Sequence, residues 1–82
     1  MYKRQIEGLL NRSLVFIRQG KNKEALQDIN NALKLDSRNS LAYLIRAQIK
    51  SNVGDETACG DLDLSIQLGM KISEKQRNMI CK

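Results

Sequence analysis

Cys59 and Cys81 are the two thiols of this 82-residue chain, and Asp61 and Asp63 are carboxylates two positions apart. Two thiols can oxidise to a disulfide, but they fall short of a four-thiolate metal site. The chain has no histidine, which excludes a histidine general base, Ser-His-Asp and Cys-His arrangements and the usual zinc ligand sets. Carboxylates two apart on a helix point to different sides, so Asp61 and Asp63 do not make a pair for glycoside chemistry. Gly54-Asp55 reads as a turn with no phosphate-loop pattern around it. The chain is therefore expected to be no enzyme and to need no cofactor and no metal.

The elements that hold these residues follow from an internal repeat. Gly20 and Gly54 stand 34 residues apart, as do Arg12 and Arg46, whereas Ala25/Ala58, Asp28/Asp61 and Leu35/Leu68 are spaced by 33. The turn after Gly54 is thus expected to be one residue shorter than the turn after Gly20. In the first copy Ile6, Leu9, Leu10, Leu14, Val15 and Ile17 recur at helical steps and predict one helix with a broad apolar face, stopped by Gly20. Asn22 is the expected N-cap of a second helix, about Lys23 to Leu35, with Ala25, Leu26, Ile29, Ala32 and Leu33 inward. A third runs from about Ser40 to Val53, and a fourth, capped by Asp55, runs to about Leu68. Ser73 with Gln76 three residues on marks the start of a short fifth helix. With its turn near Met70, the hairpin of the last two helices sets opposite one another residues whose numbers sum to about 140. Cys59 and Cys81 meet that condition. In an oxidising compartment they would close a 22-residue step and stabilise by roughly 3 kcal/mol on the chain-entropy model; in a reducing one they would be thiols in contact.

Short side chains at Ser13, Ala25, Ala32, Ala47, Ala58 and Ser65 would let helix axes approach to about 8–10 Å. Leu9, Ile29, Tyr43 and Leu62 would fill the space between. Asp28 and Asp61 are expected partners of Arg12 and Arg46, as exposed pairs contributing about 0–1 kcal/mol.

These residues resemble the tetratricopeptide repeat. The series Leu9, Ser13, Phe16, Gly20, Ala25, Ile29, Ala32 returns as Tyr43, Ala47, Lys50, Gly54, Ala58, Leu62, Ser65. The Asn11-Arg12-Ser13 tripeptide and Ala58-Cys59 followed by Asp61 are similar to bacterial versions of the repeat. Lys50 stands where the family usually has an aromatic, and Ser37 and Met70 where a proline often closes the second helix. The resemblance implies one all-α domain over 1–82: hairpins at about 6–38 and 39–70 and a capping helix at about 73–82, wound as a right-handed α-α superhelix. It further implies a protein-binding scaffold, whose first and third helices line a concave groove for a peptide or protein partner. In that groove the resemblance puts Leu10, Leu14, Ile17 and Leu44, rimmed by Asn11, Arg18, Gln48 and Asn52, while Leu41 and Ile45 are expected in the core.

The alternative is a nucleic-acid-binding module, since 14 basic and 9 acidic residues give a net charge of +5. The basic residues are scattered, and Tyr2, Phe16 and Tyr43 are the only aromatics, so a solvated surface explains the charge better. No stretch is apolar enough to span a membrane. If the chain starts at Met1, the cytoplasm is expected; a lost leader would allow the periplasm. Alpha-solenoids usually need about three repeats, so the apolar surface of the first hairpin is expected to pair with a second copy. Sedimentation at tens of micromolar checks this: a dimer that Leu14→Asp converts to monomer is expected, and a monomer unaffected by that change would refute it.

Overall fold

In a computed structural model the described part of the chain, residues 2–81, forms five helices. Met1 and Lys82, at the ends of the expected 1–82 domain and of its last helix, lie outside the described residues. The helices are α1 (Tyr2–Arg18), α2 (Asn22–Leu35), α3 (Ser40–Asn52), α4 (Ala58–Gln67) and α5 (Glu74–Ile80), with no strand among the described residues. The protein is all-α. Packing is chiefly α1 on α2 and α3 on α4; α2 also meets α3, and each odd-numbered helix touches the next one, α1 to α3 and α3 to α5.

Gly20 and Gly54 end α1 and α3 in the same way, at φ +75° and +77°. In both, the glycine N–H donates to the carbonyl three residues back (Ile17, 3.0 Å; Ser51, 3.2 Å), and the next N–H donates to one five back (Phe16 and Lys50, 2.8 Å each). This paired bonding satisfies the last carbonyls of the helix and requires a left-handed residue, which glycine adopts without Cβ strain.

Of the four helix starts from α2 to α5, three have an expected cap, at Asn22, Asp55 and Ser73, and the fourth, at Asn39, has no expected one. Ser73 caps α5, its hydroxyl accepting from the Gln76 N–H at 3.2 Å, and Asn39 caps α3 by accepting from Ala42 N–H at 3.0 Å. Asn22 does not cap α2. The chain re-enters helix two residues after Gly20, at Asn22, so the N-cap position falls on Lys21, and the Asn22 Oδ1 is buried without a partner. Asp55 does not cap α4 either. Its carboxylate accepts from the Thr57 N–H (2.8 Å) and hydroxyl (2.7 Å), folding 55–57 into a turn, and α4 begins only at Ala58. The step from glycine to alanine is one residue shorter in the second copy, yet the connection between helices is longer: 53–57 against 19–21. The deleted residue removes the first turn of α4. Ala58 opens that helix, whereas Ala25 is the fourth residue of α2.

The core follows side-chain size. All six short positions, Ser13, Ala25, Ala32, Ala47, Ala58 and Ser65, are at most 2% exposed. The two serine hydroxyls donate back to the carbonyls of Leu10 and Leu62 at 2.6 Å, so neither is buried unsatisfied. Ile29, Ile49 and Leu62 are fully enclosed, each worth about 1.5–3 kcal/mol of burial. One apolar cluster runs from Ile6 and Leu10 on α1 through Ala25, Ile29 and Ala32 to Ala42 and Ile45 on α3. Two apolar expectations are corrected. Val15 is 48% exposed and Leu41 43% exposed, because the stripes that face inward are Ile6, Leu10, Ser13 on α1 and Ala42, Ile45, Ile49 on α3, and each exposed residue sits one or two positions off its stripe.

Ala32→Leu is expected to destabilise by about 1–3 kcal/mol through overpacking and Ile29→Ala by about 2–5 kcal/mol through a cavity. Urea unfolding with an unchanged denaturant slope is the measurement.

Candidate functional site

Two arginine–aspartate clamps brace the hairpins. Arg12 on α1 donates through Nε and Nη2 to both oxygens of Asp28 on α2, at 2.7 Å each. Arg46 on α3 does the same to Asp61 on α4, at 2.8 and 2.9 Å. The pairings are those expected, but both carboxylates are buried, with side chains 5% and 6% exposed, while Arg12 is 61% and Arg46 22% exposed, so the pairs are part-buried and not fully exposed. The reason is local: each aspartate lies on the inward face of its helix beside an alanine or leucine of the core.

The second clamp carries more groups. Lys50 Nζ lies 2.9 Å from Asp61 Oδ2, and Arg46 Nη1 also donates to Asn30 Oδ1 on α2 at 3.1 Å, linking the hairpins. Burial pushes the Asp61 carboxyl up, but the hydrogen bonds and charges of Arg46 and Lys50 outweigh it and hold the group below its ordinary value. Lys50 therefore occupies its position for a charge reason: it adds a second cation to a carboxylate that accepts from three donors. The guanidinium of each clamp also lies over an aromatic ring, Arg12 over Phe16 at 5.9 Å and Arg46 over Tyr43 at 5.3 Å.

Elsewhere on α3, Leu44, Gln48 and Asn52 follow one another at helical spacing and line a cleft of about 210 Å³. Leu62 of α4 and Gln76, Met79 and Ile80 of α5 complete it. The α5 residues were not among the expected site residues, although Gln76, Met79 and Ile80 carry the three- and four-residue spacing that would have pointed to them. Leu10, expected in the groove, is only 7% exposed and belongs to the core; its outer edge borders a separate recess of about 180 Å³ with Lys3, Glu7, Asp36 and Asn39. Leu14 is 38% exposed, Asn11 and Arg18 are exposed and Ile17 is half-buried against the core. None of these four lines either cavity.

Cys59 and Cys81 are joined in a disulfide with Cα atoms 5.0 Å apart, which ties the end of α5 to α4. The bridge borders an open cavity of about 520 Å³ with Ser51, Gly54, Asp55, Glu56 and Ile80. At its edge the Thr57 N–H and hydroxyl hold the Asp55 carboxyl below its ordinary value. No helix among the described residues is long and apolar enough to cross a membrane. Comparison with family models, with curated proteins and with solved structures gives no match in any of the three.

Asp61→Asn leaves Arg46 and Lys50 facing a neutral amide and is expected to cost about 1–3 kcal/mol of stability, whereas Asp63→Asn, at a half-exposed 3.7 Å pair, should change it by less than about 0.5 kcal/mol. Because the folded Asp61 carboxyl lies below its unfolded value near 4, its contribution is present above that pH and is lost as pH falls through the folded value. Urea midpoints measured from pH 7 down to 2 should fall less steeply for Asp61→Asn than for the native chain.

Proposed function

We propose that this chain is a non-enzymatic interaction scaffold, two tetratricopeptide-like hairpins and a capping helix wound as a short right-handed solenoid, which binds an amphipathic or extended segment of a protein partner. The order of odd-helix contacts, α1 to α3 to α5, and the buried short residues support the solenoid reading. One observation carries the binding reading: the cleft in which Leu44, Leu62, Met79 and Ile80 supply an apolar floor and walls, and Gln48, Asn52 and Gln76 supply a hydrogen-bonding rim. Apolar anchors with a few convergent polar groups suit a peptide that buries one face and keeps its backbone satisfied. Leu14 and Val15, exposed on α1, favour a second copy of the chain as a further occupant of the first hairpin. Phe16 and Tyr43 are engaged under the arginine clamps, which counts against either of them as a free stacking platform for a nucleic acid.

Selection of peptides from a displayed random library against the purified chain, followed by fluorescence anisotropy, tests this. Binding is expected to change less than about threefold between 50 and 200 mM salt and to weaken at least about tenfold in Leu44→Asp and in Met79→Asp, whose side chain is already largely in solvent. Failure to select any peptide, together with tight salt-sensitive binding of a labelled single-stranded RNA that neither substitution weakens, would overturn the reading.

A further inference from the structure

The disulfide sits in an unusual relation to the helix it anchors. None of the residues of α5 is buried, Met79 is 65% exposed and Ile80 is half-buried. Its ion pair to the rest of the chain, Arg77 with Asp63 at 3.7 Å, joins two half-exposed groups and contributes little. A helix of 7 residues does not hold itself together in water. What keeps α5 against α3 and α4 is therefore chiefly the covalent bridge from Cys81 to Cys59. The continuous apolar core, by contrast, lies in α1, α2 and α3 and does not involve the bridge.

We propose that α5 is a redox-latched cover on the α3–α4 face: a dithiol reductant cleaves Cys59–Cys81, α5 leaves, and Leu44 and Leu62 become an open apolar surface. Both cysteines are half-buried and border the open 520 Å³ cavity, so a small thiol reaches the bridge without unfolding the chain. One thiolate of the reductant attacks a sulfur of the bridge and the other cysteine departs as thiolate. The second thiol of the reductant then displaces the first cysteine. Two electrons pass to the protein, the cysteines take up two protons, and the reductant ends as a cyclic disulfide. Opening a 22-residue closure shifts the docked-to-free equilibrium of α5 by roughly a hundredfold on the chain-entropy model. The cleft then loses the walls that Gln76, Met79 and Ile80 supply, so a peptide bound there is released. That last consequence rests on the cleft being the binding surface proposed above; the release of α5 does not.

Amide hydrogen exchange of the full chain, with and without dithiothreitol, tests the latch. On reduction, protection of the amides of α5 is expected to fall at least about tenfold, while those of α1 to α3 stay within about twofold. Cys81→Ser should show the same pattern with no reductant. Unchanged protection of α5, with both thiols shown by alkylation to be free, would overturn the latch. So would loss of protection through all five helices, which would make the bridge a staple of the whole domain. A peptide selected on the oxidised chain is expected to bind at least about fivefold more weakly after reduction, since Met79 and Ile80 leave the cleft and the competent fraction falls. Released α5 with unaltered peptide affinity supports the latch and counts against the cleft as the binding surface.

Discussion

The structure depends on how closely its helices approach. Ser13, Ala25, Ala32, Ala47, Ala58 and Ser65 are all almost entirely enclosed, and each presents at most two side-chain heavy atoms at a crossing. Larger groups there would push the axes apart, and the enclosed Ile29, Ile49 and Leu62 would no longer fill the gaps. Close approach also brings backbone and charged groups into low dielectric. The serine hydroxyls answer this with bonds to their own helix, and the buried aspartates with guanidinium clamps. Short residues and clamps are one design, because aspartates drawn inward by tight packing need partners fixed in place.

The two hairpins solve that problem differently. In the first, Arg12 alone meets Asp28 and remains largely in solvent, 61% exposed. In the second, Arg46 and Lys50 converge on Asp61, and Arg46 reaches across to Asn30. The second hairpin is also the one with the truncated α4, whose missing turn is replaced by the Asp55–Thr57 turn. A shorter helix buries less apolar area, and the denser polar network stands beside it.

That truncation shapes the far end of the molecule as well. The 53–57 connection and the first residues of α4 leave an open cavity, and the disulfide spans its edge. The last helix therefore rests on a part of the fold with little apolar area to offer it. Its contacts run to α3 and α4, while its own residues stay at the surface. The cleft along Leu44, Gln48 and Asn52 exists because α5 leans on that face without filling it.

By itself, the sequence determined the local and periodic features. Helix-spaced apolar residues, glycines at the ends of α1 and α3, the cap at Ser73, the short positions and the Arg12–Asp28 and Arg46–Asp61 partnerships are all readable from residue type and spacing, because each depends on backbone geometry that repeats. What only the tertiary structure decided is which side of a stripe meets a neighbour. Leu10 and Leu41 are both leucines on helical stripes, yet one is 7% and the other 43% exposed, since the rotation of α1 and α3 against each other is set by the whole packed interface. The same holds for the starts of α2 and α4, where a one-residue change in connection moved the caps. It holds too for the α5 side of the cleft, a short helix whose placement is settled by the bridge between Cys59 and Cys81 and not by burial of its own residues.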